Sequence, residues 1–181
     1  LASLLLVAQS KSNRLNVVDY GGALGTSYQQ NKKFLDILDC PVKWIIIEQS
    51  RFVEIGKSEF ENEELLFSDS LGQLNIDIDL VFLGGSICYF EEPYKVLDEI
   101  LEAAPQFILI TRTPFSDLLI DSLSLQIVPS SIYNASYPIW TLSKENIKAY
   151  LSSRYNLIEE WRDQLQADPE VDAMGMLFRR N

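Results

Sequence analysis

Residues 17–28 read VVDYGGALGTSY, an apolar run and an acid followed by three glycines within five positions. Gly21, Gly22 and Gly25 strip the backbone of side chains where a strand ends and a helix begins, so main-chain amides can approach a ligand closely. The positive end of the following helix suits an anionic group there, a phosphate or a carboxylate. The dinucleotide fingerprint G-x-G-x-x-G does not fit. Counted from Gly21 it requires glycine where Ala23 and Thr26 stand, and counted from Gly22 it requires glycine at Leu24. That spacing weighs against an NAD-linked oxidoreductase.

Around this turn the chain alternates short β-rich runs with helical periods, the signature of a parallel sheet covered by helices on both faces. NVVDY (16–20), KWIIIEQ (43–49), ELLFSD (64–69), IDLVFLGG (78–85) and QFILITR (106–112) are the expected strands. The fourth is almost continuously apolar, as a central strand buried on both faces must be. Between them SYQQNKKFLDIL (27–38) sets Tyr28, Phe34, Leu35 and Leu38 on one helical face. RFVEIGKSEFEN (51–62) and EEPYKVLDEILEAA (91–104) follow as helices, the latter with Pro93 near its start. Residues 113–141 hold prolines, serines and four aromatics with little regular period, and are expected to run over the sheet as a substrate-covering excursion. SKENIKAYLSSRY (143–155) restores a helix capped by Ser143. NLIEEWRD (156–163) and VDAMGMLFRR (171–180), separated by the turn-prone ADPE (167–170), are expected to pair as an antiparallel hairpin.

A length of 181 residues and a 47% hydrophobic composition suit one domain over 1–181. The opening LASLLLV is too short for a membrane span and lacks the flanks of a secretory signal, so it is expected to pack on the core as a helix. The chain opens on Leu1 rather than methionine, which leaves room for a missing N-terminal segment. Its 15 Lys and Arg against 26 Asp and Glu give a charge of -11 spread along the sequence, which argues against a nucleic-acid partner. Cys40 and Cys88 form no CxxC pair and read as buried thiols of a reducing, cytoplasmic compartment. The Asn134-Ala135-Ser136 sequon is then fortuitous. No histidine occurs, which removes Ser-His triads, histidine relays and the commonest zinc ligand, and no metal site is expected.

Asp19, Gly21, Ala23 and Gly25 place an acid, a glycine, a small residue and a glycine at alternate positions, and this resembles the first motif of class I S-adenosylmethionine-dependent methyltransferases. Alanine at the middle position departs from it. The resemblance implies a Rossmann-like α/β fold whose mostly parallel, seven-stranded sheet carries an antiparallel C-terminal hairpin strand, and it implies S-adenosylmethionine as cofactor. Glu48 ends the second strand roughly twenty residues beyond the glycines, where an acid can accept both ribose hydroxyls. Asp69 follows the third strand, where this fold usually places an acid near the adenine amine. Gly85 and Ser86 offer close backbone approach after the fourth strand. Asp19, Gly21, Gly22 and Gly25 would then hold the methionine end.

The segments DYGGALGTSYQQNKKFL, WIIIEQ, GGSICYFEEPYKVLDEIL, ITRTPF and YPIWTLSKENI, in that order, are also similar to a family of bacterial methyltransferases often found near surface-polysaccharide biosynthesis genes. The likeness runs from Asn16 to about Trp161 and implies transfer of a methyl group to a small molecule or a glycan precursor, leaving the acceptor open. Tyr89 would lie near the sulfonium, Arg112 could clamp an anionic or hydroxylated acceptor, and Tyr133 and Tyr137 could stack on a sugar ring, while Trp140 is expected in the core. Without histidine any base is a carboxylate, tyrosine or lysine, and no catalytic residue is assigned. The competing class is a methyltransferase-like domain that has lost catalysis and serves as a binding or assembly module. The oligomeric state is left open.

Overall fold

Leu15, Val17 and Val18 of β1 (Leu15–Tyr20) and Leu80, Val81 and Leu83 of β4 (Leu80–Gly84) are fully enclosed, because both faces of the sheet are covered here. The computed structural model describes residues 1–10, 14–38, 40–163 and 172–181, and among these are nine strands and five helices. Five strands run parallel in the order β3 (Leu65–Ser68), β2 (Val42–Ile47), β1, β4 and β5 (Phe107–Ser116). On the far side of β5 lies β9 (Asp172–Arg180), antiparallel, and β8 (Tyr155–Arg162) pairs antiparallel with it at the edge. This is the class I methyltransferase topology, with the reversed hairpin strand that a dinucleotide-binding sheet lacks. The ADPE turn lies outside the described residues.

Alternation along the strands sorts the core into two layers. Val17, Trp44, Leu80 and Leu109 face α1 (Ala2–Gln9), α2 (Thr26–Leu35) and α3 (Ser50–Glu59). Val18, Ile45, Val81 and Ile108 face α4 (Pro93–Ala103) and α5 (Lys144–Leu151). Pro93 starts α4 where its missing N–H is not needed, and Ser143 Oγ accepts from the Asn146 amide at 3.3 Å to cap α5. The opening apolar run forms α1, which buries Leu4, Val7 and Ala8; no helix among the described residues is long and apolar enough to cross a membrane.

Two features depart from the pattern read in the sequence. Rather than ending at Arg112, β5 passes through a bulge between Ile110 and Thr113, with Arg112 at φ 54°, and continues to Ser116. Pro114 is tolerated beside that bulge, where the ladder is already broken. The excursion is not irregular throughout: β6 (Ser122–Ile127) and β7 (Ser136–Ser143) form an antiparallel hairpin, attached to β5 through Phe115↔Leu142 and Ser116↔Ser143. Its strand signal is the alternation of Leu123, Leu125 and Ile127, obscured because these side chains point to solvent and not into a core.

α3 meets the sheet at Gly56, where a Cβ would come within 2.3 Å of the buried Phe67 ring. Gly56→Ala gains about 1 kcal/mol of helix propensity but overpacks this contact at a cost of about 2 kcal/mol. A net loss of about 1 kcal/mol is expected in urea denaturation; a more stable variant would mean that α3 moves freely off the sheet.

Candidate functional site

β1, β2, β3 and β4 end at one edge of the sheet, and the residues that follow them meet there. Gly21 follows β1, Glu48 follows β2, Asp69 follows β3 and Gly85 follows β4; with Tyr20, Ser86 and Phe90 they line a cleft of about 410 Å³. That lies within the roughly 300–1,000 Å³ common for small-molecule sites.

The glycine turn is shaped by what surrounds it. Gly21 sits at φ +76°, and a Cβ there would lie 2.6 Å from that of Ser86, so the β1 and β4 loops touch without room for a side chain. Ser86 Oγ donates to the Tyr20 carbonyl at 2.5 Å, tying the same two loops together. A Cβ on Gly22 would strike the Asp19 carboxylate at 2.6 Å, and Gly25 caps α2 in the left-handed region at φ +90°. Ala23, where the methyltransferase motif has its middle glycine, also takes positive φ, at 51°.

Asp19 lies beneath the turn and not on the cleft wall, 1% exposed, accepting from Trp44 Nε1 at 3.1 Å. Burial pushes its carboxyl up to about 7, opposed by the Trp44 hydrogen bond and the Arg112 charge. Glu48, half-buried, accepts from the Ala23 amide at 3.2 Å through Oε1 and from the Gln49 amide at 2.9 Å through Oε2. Each oxygen keeps another lone pair, so the carboxylate is fixed in place and can still accept two hydroxyls. Asp69 is exposed at the mouth.

A second, wider cleft of about 1000 Å³ opens beside the first and shares Tyr89 and Phe90 with it. Tyr133 and Tyr137 of the excursion line it together with Phe52 and Trp140. Tyr89 packs edge-on against Tyr137 with centroids 5.5 Å apart and donates to Gln126 Oε1 at 3.0 Å. Burial raises the Tyr89 phenol to about 12, so it stays protonated at neutral pH. Arg112 is turned inward: its Nη2 donates to the Gly84 carbonyl at 2.6 Å, and its amide donates to Asp163 Oδ2 at 2.6 Å. Cys88 is buried, its thiol pushed up to about 12 by desolvation, and Cys40 is half-buried. The described residues contain no cluster of acids and cysteines able to hold a metal ion.

Sequence patterning missed Tyr20, Phe90 and Phe52. Phe90 lines both clefts and packs edge-on against Tyr20 at 5.5 Å. Its signal is adjacent aromatics, Tyr89-Phe90, immediately after the GGS segment, where a 3-10 turn over Ile87–Tyr89 turns the chain across the sheet edge. Trp140, expected in the core, is half-buried and packs against the core, and its Nε1 donates to the Phe90 carbonyl at 3.1 Å.

No protein-family model and no curated protein sequence matches the chain. Solved structures do. A SAM-dependent methyltransferase from Methanosarcina mazei is similar at TM-score 0.67 and 9% identity, over 96% of each chain. A glycopeptide N-methyltransferase complexed with S-adenosyl-L-methionine is similar at TM-score 0.65 and 9% identity, over 99% of this chain and 93% of that one. The 1,6-didemethyltoxoflavin-N1-methyltransferase of Burkholderia thailandensis, solved with its substrate and S-adenosylhomocysteine, is similar at TM-score 0.61 and 13% identity, over 99% and 77%. The chain therefore has the class I SAM-dependent methyltransferase fold.

Proposed function

We propose that this protein is a methyltransferase that binds S-adenosylmethionine in the 410 Å³ cleft and methylates a small molecule or a glycan precursor presented from the wider cleft. The carrying observation is the convergence of Gly21, Glu48, Asp69 and Gly85, from four successive strand ends, on one cleft. The residues fit the cofactor in kind: an anchored carboxylate for a diol, an exposed acid for an exocyclic amine, and a turn so tight that a Cβ at Gly21 would collide with Ser86. The fold's neighbours add support, since the glycopeptide and toxoflavin enzymes were solved with this cofactor or its product.

When bound, the cofactor would supply an electrophilic methyl group for an acceptor lone pair. The chain's own contribution is positional. Glu48 holds the ribose and Asp69 addresses the adenine. Gly21, Gly22 and Gly25 let the backbone approach the methionine end, with Asp19 supplying negative charge beneath it. Gly85 and Ser86 close the floor. Tyr89 stands between the two clefts with its hydroxyl held on Gln126, while the excursion lines the acceptor side with Tyr133 and Tyr137. Arg112 acts from below, its guanidinium fixing the Gly84 carbonyl and favouring the ionised form of Asp19.

Calorimetry with S-adenosylhomocysteine tests this. Micromolar binding is expected; absence of binding at concentrations on the order of 1 mM would overturn it.

A further inference from the structure

We propose that the wider cleft selects an acceptor built on a flat apolar ring, neutral or amine-bearing, and rejects phosphorylated and other anionic acceptors. This rests on the cofactor reading, because the wall shared through Tyr89 and Phe90 is what makes the cleft an acceptor site, and it narrows the acceptor of that reading to the small-molecule class, against a glycan precursor.

Its walls come from three parts of the chain: Phe52 on α3, Tyr89 and Phe90 after β4, and Leu123, Tyr133 and Tyr137 on the excursion. Phe52, Tyr89, Leu123 and Tyr133 are 40%, 47%, 56% and 54% exposed, a concentration of open apolar surface that a ring would cover. The walls are also set in advance. The Tyr89 hydroxyl is bonded to Gln126, its ring is packed on Tyr137, and Trp140 is bonded to the Phe90 carbonyl. A ring entering between them meets surfaces that need little ordering.

Charge decides the rest. Among the lining residues one is ionisable as a carboxylate, Glu91, and none is cationic. The nearby guanidinium of Arg112 is held on the Gly84 carbonyl. An anion entering here would give up hydration, find no cationic side chain among the lining residues and face a carboxylate on a protein of net charge -11. An amine gains from the same carboxylate and from the tyrosine faces. A sugar fares poorly for another reason: most of its hydroxyls would find apolar walls, and Tyr89 already spends its own hydroxyl on Gln126.

Four probes separate these classes: 2-naphthylmethylamine, 2-naphthalenemethanol, 2-naphthyl phosphate and methyl glucoside, each titrated calorimetrically into protein saturated with S-adenosylhomocysteine. The amine and the alcohol are expected to bind at least about tenfold more tightly than the phosphate or the glucoside. Tyr137→Ala is expected to weaken the amine and the alcohol about tenfold, and Glu91→Lys to strengthen the phosphate by a similar factor. Tyr133→Ala, at a position 54% exposed and so harmless to folding, provides a second variant of the wall. Equal or tighter binding of the phosphate or the glucoside, or ring binding indifferent to both tyrosine replacements, would overturn the proposal. Titration of S-adenosylhomocysteine alone separates the two levels. Ring binding without cofactor binding refutes the methyltransferase assignment and the acceptor role with it, whereas cofactor binding with a preference for phosphate refutes this inference alone.

Discussion

Replacing Glu48 by alanine is expected to weaken S-adenosylhomocysteine binding by roughly 10- to 100-fold. Two hydroxyl groups donating to one carboxylate form charge-assisted hydrogen bonds, and losing such contacts costs about 1.5–3 kcal/mol. Glu48 also holds the glycine turn through the Ala23 amide, so the simple loss does not distinguish a ligand contact from a loosened loop. A cycle with 5′-methylthioadenosine and its 2′,3′-dideoxy analogue makes the distinction. In the wild-type protein the dideoxy compound should bind at least about tenfold more weakly, and in Glu48→Ala the two should bind alike. If removal of the hydroxyls costs the same in both proteins, Glu48 does not hold the ribose. Glu48→Gln, which retains an acceptor but no charge, should fall between the two.

The parallel strands and their covering helices were legible because their periodicities answer to a core that encloses them. The continuous apolar run of β4 and the helical face of Tyr28 and Leu35 both end up buried. Glu48, Asp69 and Gly85 could be placed on one edge from order alone, since a parallel sheet brings all its strand ends to one side. The excursion was illegible as structure because Leu123, Leu125 and Ile127 are exposed, and sequence alternation reports burial before it reports hydrogen bonding. The inward turn of Arg112 was hidden for a different reason. It depends on a bulge that sets this residue at positive φ, and on Asp163, 51 positions away, accepting from its amide. Neither leaves a local signature. Nor does the burial of Asp19 beneath the turn, which depends on Trp44 from the neighbouring strand.

Asp19→Asn is expected to change how stability depends on pH more than it changes stability at any one pH. Asparagine preserves the shape beside Gly22 and can still accept from Trp44 Nε1, so it removes the titration and little else. The carboxyl is raised to about 7 in the folded protein from 3.8 unfolded. Between those values the native state binds the proton and the unfolded state does not, so the wild type loses stability as pH rises from about 4 and levels off above about 7. Relative to Asp19→Asn, it should lose roughly 2–3 kcal/mol between pH 5 and pH 8 in urea denaturation. A pH-independent difference would mean that Asp19 is ionised throughout. Arg112→Ala should steepen the trend, because the guanidinium favours the ionised carboxylate. The same proton bears on the proposed function. A cationic amine brought to the turn favours ionised Asp19, so affinity for S-adenosylhomocysteine should rise with pH to about 7 and then flatten, a rise that Asp19→Asn removes.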